Sequence, residues 1–232
     1  MVRDECFADR AAAAGAGATV TGIDLKDRPD GFAGEYAQGD VSDEGFVRAT
    51  IETAHERSGR LDYLVNAAGI LLFEEDTSLL EIELAVWYRV LAVNLTGSML
   101  AARHAIPAMR ASGGGAMVHI ASTQCLRGDP APQDAYQCSK AAILALSKSI
   151  AIQFAGDRIR SNALLPSATE SPMQARWESE PDGRRRAAAG VPLGRVGTVE
   201  DMAEACLFLL SDRAAFITGT ELIVDGGRTA MP

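Results

Sequence analysis

Apolar positions along this chain follow two rhythms. Short, mainly apolar runs at 18–23, 61–66, 116–121, 158–165 and 221–224, with a shorter one near 35–38, read as buried strands. Between them apolar residues recur at helical spacing over about 43–58, 79–111, 134–156 and 198–211. Strands without in–out alternation belong to a sheet covered on both faces, and strands that alternate with helices belong to parallel βαβ units. The expected fold is α/β: a Rossmann-type doubly wound parallel sheet with helices on both faces. Residues 167–197 break the rhythm with Pro172, Pro181, Pro192 and several glycines. A long irregular insertion late in such a domain is usually functional, so this stretch is expected to cover a substrate. No repeat or linker interrupts the pattern, and residues 1–232 read as a single domain.

The start departs from that plan. Residues 4–14 look like the end of a helix feeding the strand at 18–23. A doubly wound domain opens with a strand and a glycine-rich turn before that helix, and the sequence shows neither. The fold is therefore expected to lack its usual first strand. Gly15 and Gly17 precede a strand instead of following one, which suits a helix-to-strand turn and not a phosphate loop.

Composition narrows the function classes. The chain has 22 basic and 31 acidic residues, a net of −9, with no basic stripe. That balance argues against a nucleic-acid or anionic-membrane partner. The one basic run, Arg184–Arg186, reads as a solvated helix face or turn. Cys6, Cys125, Cys138 and Cys206 form no C-x-x-C pair and have no histidine at ligand spacing, so no metal is expected and the thiols read as free, as in a reducing cytosol. No apolar stretch is expected to reach the ~18 residues that cross a bilayer, and the N-terminus lacks a signal peptide's apolar core. The location expected is cytoplasmic.

The strongest chemical signal is Tyr136-Gln137-Cys138-Ser139-Lys140. Residues at i and i+4 share a helix face. An ammonium near a phenol favours the phenolate and draws its pKa from about 10 toward neutrality, which suits proton transfer to or from an alcohol. Ser122 ends the strand run Val118–Ser122, at the sheet edge where such folds place their sites. Its hydroxyl can bond a substrate oxygen as charge develops there; a strand-end turn serine is the plain alternative. Asn66-Ala67-Ala68-Gly69 ends another buried strand, where small residues admit a ligand close to backbone. Asn94 sits mid-helix among apolar neighbours, and a buried amide there needs partners. His55, His104 and His119 read as structural. Cys125, on the loop after Ser122, is a candidate for lining the substrate pocket.

The ordered set N-A-A-G, V-N-L-T-G, I-A-S, Y-x-x-x-K and I-T-G-T-E-L-I-V-D-G-G resembles the short-chain dehydrogenase/reductase family from about residue 11 to 227. The resemblance implies a catalytic tetrad of Asn94, Ser122, Tyr136 and Lys140. Tyr136 would act as acid/base, Ser122 would orient the substrate oxygen, and Lys140 would bind the nicotinamide ribose. Asn94 would hold a water in a proton relay through helix backbone. The expected cofactor contacts are Asp24, Asp40, Val41, Asn66, Ala67, Ala68, Gly69, Tyr136, Lys140, Pro166 and Ser171. The resemblance also implies a homotetramer or homodimer built through two long helices, and a small alcohol or ketone as substrate.

Asp24 ends the second expected strand of the fold, where a carboxylate bonds the ribose hydroxyls of NAD and repels the 2′-phosphate of NADP; a turn cap is its plain alternative. NAD is thus the expected cofactor, and NADP the less favoured one. The family's T-G-x-x-x-G-x-G loop should lie about 20 positions before Asp24, where the chain reads MVRDECF. Either a truncated or misplaced start or a natural variant with impaired cofactor binding accounts for this. Pro166-Ser167 stands where the family usually has Pro-Gly, and the spacing of fourteen positions from Ser122 to Tyr136 is one residue longer than the family's. Three functions follow: an NAD-dependent dehydrogenase of secondary alcohols, an NADPH-dependent 3-oxoacyl-carrier-protein reductase, and a non-catalytic relative.

Overall fold

A computed structural model describes residues 17–174, 177 and 182–231. The helix expected over 4–14, Gly15 and Cys6 lie outside the described residues. The chain runs β1 (Thr21–Asp24), β2 (Glu35–Gln38), α1 (Glu44–Ser58), β3 (Tyr63–Asn66) and α2 (Leu84–Leu91). A π-helical turn (Ala92–Thr96) leads into α3 (Gly97–Ser112), followed by β4 (Gly115–Ile120), α4 (Asp134–Gln153) and β5 (Ile159–Pro166). Then come α5 (Gly183–Ala189), α6 (Val199–Leu210) and β6 (Glu221–Val224).

Every strand pairing is parallel. The described strands form two groups, β1–β2 and β3–β4–β5–β6. A doubly wound sheet runs 3-2-1-4-5-6, so these groups are the two flanks of such a sheet. The place between β1 and β3 is filled by no strand among the described residues.

β4 shows why its sequence is continuously apolar. Met117 packs with Val47, Ile51, Leu100, Ile106, Met109 and Ile150 of the helices on one face. Ala116, Val118 and Ile120 pack with Met202, Cys206 and Leu209 of α6 on the other. A strand covered on both sides has no position left for a solvent-facing polar residue, and each large buried side chain contributes roughly 1.5–3 kcal/mol. Local signals set the helix ends. The Asp43 carboxylate accepts from the Phe46 amide to start α1, and Gly59 ends it in the left-handed region at φ 72°.

Two expectations change. The helix expected over 79–111 begins at Leu84, because the Ser78 carbonyl draws the Glu81 and Ile82 amides into a turn. Its apolarity also exceeds expectation: Leu84–Ser112 is long and apolar enough to cross a membrane by length and composition. Its apolar residues include those it gives to the core, Val90, Leu100, Ala105, Ile106 and Met109 among them. The 167–197 stretch also holds more order than expected, since α5 lies within it and the Arg184 guanidinium pairs with Glu170.

Candidate active site

The parallel strands end on one edge, and the expected site residues gather along it. Asp24 closes β1, Asn66 closes β3, Ser122 follows β4 by two positions and Pro166 closes β5. Helix α4 starts just beyond, with Tyr136 and Lys140 one turn apart on it. Lys140 is 3% exposed. Its Nζ donates to the Ile120 carbonyl at 2.8 Å and lies 5.7 Å from the Tyr136 ring centroid. The ammonium is thus pinned between the end of β4 and the tyrosine. Ser122 is extended and buried, and its Oγ accepts from the Gln124 amide at 3.2 Å.

Small residues after β3 make room for this arrangement. A Cβ on Gly69 would stand 3.1 Å from Lys140 Nζ and 3.5 Å from Asn94 Oδ1, so a side chain there presses on two polar groups together. Ala67 and Ala68 are half-buried beside it.

Asn94 sits in the π-helical turn, a feature that concentrates at functional sites. Its Oδ1 accepts from the Ile70 amide at 2.7 Å, and its Nδ2 donates to the Ile70 carbonyl and to Ser139 Oγ, both at 3.0 Å. Ser139 Oγ donates in turn to the Tyr136 carbonyl at 2.7 Å. The side chain is therefore a clamp between the segment after β3 and the tyrosine's turn of α4. The Asn94 carbonyl, expected to face a relay, accepts from Ser98 Oγ at 2.8 Å.

Asn66 donates through Nδ2 to the Ser98 carbonyl at 3.1 Å and meets His119 Nδ1 at 3.0 Å. An amide nitrogen only donates, so Nδ1 accepts and the neutral ring carries its proton on Nε2. That atom is buried and has no hydrogen-bond partner among the described residues. Burial lowers the His119 pKa to about 4. Burial likewise raises the Cys125 thiol, which suits an inert pocket wall better than a nucleophile.

The expected adenosine contacts are held more simply. Asp24 Oδ1 accepts from the Lys26 amide at 2.9 Å. Asp40 Oδ1 accepts from the Ser42 amide and hydroxyl at 2.8 and 2.7 Å. Val41 packs on α3, where a Cβ on Gly97 would stand 2.9 Å from Val41 Cγ2. Ser171 is half-buried, and its carbonyl accepts from Gln174. The base of the 167–197 segment is tied down by the Glu170 amide donating to the Gly197 carbonyl and the Gly197 amide donating to the Ala168 carbonyl, both at 2.9 Å. Met173 from this segment packs against the cluster that includes Ile70, Leu72 and Tyr136.

Two site residues escaped the sequence. Ser139 lies within the Y-x-x-x-K spacing at a position without a pattern of its own. Asp76 stands third in Glu74-Glu75-Asp76, where no periodicity separates one acid from the next. Its carboxylate accepts from the Ala135 and Tyr136 amides at 2.9 and 2.8 Å.

Parallel strands with helices on both faces, and a Tyr–Lys pair at their C-terminal edge, define an α/β protein of the nucleotide-binding type. A family profile described as enoyl-(acyl carrier protein) reductase matches residues 5–229. The cis-4-hydroxycyclohexanecarboxylate dehydrogenase of Sinomonas cyclohexanicum is 38% identical over 228 residues, spanning 97% of this chain and 90% of that protein. The ligand-free aldohexose dehydrogenase of Thermoplasma acidophilum superposes with a TM-score of 0.89 at 31% identity, covering 98% of this chain and 90% of that one. A gluconate 5-dehydrogenase of Burkholderia cenocepacia, solved with NADP and tartrate, gives 0.86 at 29% identity, covering 97% and 91%. The chain belongs to the short-chain dehydrogenase/reductase family. It is an oxidoreductase acting on CH–OH groups of small molecules, in a family that uses NAD or NADP.

Proposed function

We propose that this chain interconverts a secondary alcohol and a ketone with NAD(H), using Tyr136 as the acid/base. The observation that carries the reading is Lys140, buried, bonded to Ile120 and 5.7 Å from the Tyr136 ring centroid. A fixed ammonium at that range favours the phenolate. The bound nicotinamide would supply the hydride acceptor. In oxidation the Tyr136 phenolate takes the hydroxyl proton while Ser122 Oγ holds the same oxygen. In reduction Tyr136 returns the proton to the alkoxide, and Ser122 donates to it as charge builds. Lys140 holds the nicotinamide ribose, and the small stretch Ala67–Gly69 gives the cofactor backbone to lie against.

Asp24, Asp40, Val41, Asn66, Pro166 and Ser171 complete the cofactor contacts in this reading, at the edge where the strands end. Asp24 uses Oδ1 for its turn, which leaves Oδ2 for ribose hydroxyls. That carboxylate favours NAD; the NADP bound to the gluconate 5-dehydrogenase is what favours the alternative. The chain acts as one domain with residues 167–197 as its cover, and Met173 against the tyrosine cluster supports that role. A homodimer or homotetramer through α3 and α4 belongs to the same reading, with the exposed Ile152 on α4 as an apolar residue such a contact would cover.

The test is turnover of a panel of secondary alcohols, with 4-hydroxycyclohexanecarboxylate included, followed by nicotinamide absorbance with NAD and with NADP. Oxidation with NAD in preference to NADP is expected. No turnover of any member with either nucleotide would overturn the reading.

A further inference from the structure

Helix α4 carries the tyrosine, yet it has no cap of its own. Gln133, at the N-cap, makes no side-chain capping bond. The first turn of a helix leaves amides without internal partners, and here the partner comes from 60 positions away. Asp76 lies in the loop between β3 and α2 and is 0% exposed. One carboxylate oxygen accepts from Ala135 and the other from Tyr136. Charge-assisted bonds to a helix N-terminus are among the stronger hydrogen bonds in a protein.

The same loop is gripped at its other end. Asn94 holds both the amide and the carbonyl of Ile70, and Ile70, Leu71 and Leu72 are buried with Ala135 and Tyr136 in one cluster. The segment from Ile70 to Asp76 therefore joins two groups, the asparagine of the π-helical turn and the main chain of the tyrosine. A local cap at position 133 would stabilise the helix equally well. Only a carboxylate from this loop ties the tyrosine to the element that Asn94 holds.

We infer that Asp76 is a positioning residue for the reaction, setting the Tyr136 main chain against the Asn94-bound loop so that the phenol meets an oxygen held by Ser122 on another element. This rests on the reading of Tyr136 as the acid/base. A misplacement of about 1 Å at such a site costs on the order of 10²-fold in rate. Asp76 also places a negative charge beside the tyrosine's turn. Among the described residues, the other charged groups on the elements around Tyr136 include Lys140, Asp134 and Lys148 on α4, exposed Glu74, Glu75 and Glu81 on the loop, exposed Arg89 on α2, and Glu170 on the 167–197 segment, paired with Arg184. Asp76→Asn keeps the shape and one acceptor while removing the charge, so the phenolate forms more easily.

The experiment is a near-ultraviolet titration of tyrosinate in the full chain, for wild type, Asp76→Asn and Asp76→Ala. Each is repeated on a Tyr136→Phe background to isolate the Tyr136 step, with kinetics on an alcohol from the panel alongside. In Asp76→Asn the Tyr136 step should move to lower pH. The kcat should fall about tenfold there and about 10²-fold in Asp76→Ala, with KM for the nucleotide unchanged. If Asp76→Ala does not fold, Asp76→Asn carries the test. A Tyr136 step and kcat unchanged in Asp76→Asn, with only the melting temperature lowered, would make Asp76 a plain helix cap and overturn the inference. The titration needs neither substrate nor cofactor, so a wild type without turnover counts against the proposed function alone.

Discussion

In the β3–β6 half, the residues proposed for proton transfer are held by bonds between distant parts of the chain. Lys140 reaches Ile120 across 20 positions, Asn94 reaches Ser139 across 45, and Asp76 reaches Tyr136 across 60. In the β1–β2 half, Asp24 and Asp40 each accept from an amide two positions on. That pair also carries its own small packing unit, in which buried Phe32 lies over Gly22 and meets Tyr36 edge-on at 5.5 Å. The contrast separates two tasks. The residues proposed for the chemistry sit on a network whose members stand or fall with the fold, while those proposed for cofactor choice sit on local turns that can change with little cost to the rest.

Substitutions should therefore have unequal reach in the two halves. The largest effect expected is Tyr136→Phe, which removes the proton carrier and should lower turnover by about 10²–10⁴-fold, with nucleotide binding measured by calorimetry nearly unchanged. Retained turnover would take Tyr136 out of the mechanism. Next comes Asn94→Leu. It leaves the Ile70 amide and carbonyl and the Ser139 hydroxyl short of a partner, and each buried orphan costs about 1–3 kcal/mol. Urea denaturation should show a loss of roughly 3 kcal/mol along with lost activity, and a stability unchanged from wild type would contradict the clamp.

A smaller effect comes from His119. Its folded pKa of about 4 lies below the usual 6.5, so the unfolded chain binds the extra proton first as pH falls. Stability from this group is complete above the unfolded pKa and declines as pH drops toward the folded one. Between pH 7 and 5 the loss should be about 2 kcal/mol, and His119→Asn should flatten that slope. A slope that does not change would mean His119 titrates like an exposed histidine. The smallest structural effect belongs to the other half. Asp24→Ala should narrow the NAD-over-NADP preference, read as the ratio of kcat/KM values, while lowering the melting temperature by no more than about 2–4 °C, because one turn hydrogen bond is lost. An unchanged ratio would leave Asp24 as a turn cap.

Much of this was legible before the fold was known. The strands at 35–38 and 221–224 fall where they were expected, although both are only partly buried, and burial on both faces marks the sequence most plainly in β4 and β5. The Y-x-x-x-K spacing puts Tyr136 and Lys140 on one helix face, and the fold brings the lysine over the ring. The π-helical turn was hidden, since its residues keep the apolar character of the helices on either side. Asp76 was hidden for a different reason: three acids in a row look alike, and only a tertiary contact with α4 selects one of them for burial. The first strand of the usual order has no counterpart among the described residues, in which β1 and β2 pair with each other.

The most direct test of the account is the thermal melt of the full chain, alone and with excess NAD or NADP. The account predicts one cooperative transition that NAD raises, by about 2.7 kcal/mol at 100 times its dissociation constant, and that NADP raises less. A transition that neither nucleotide moves would contradict it, because the cofactor would then have no hold on this chain.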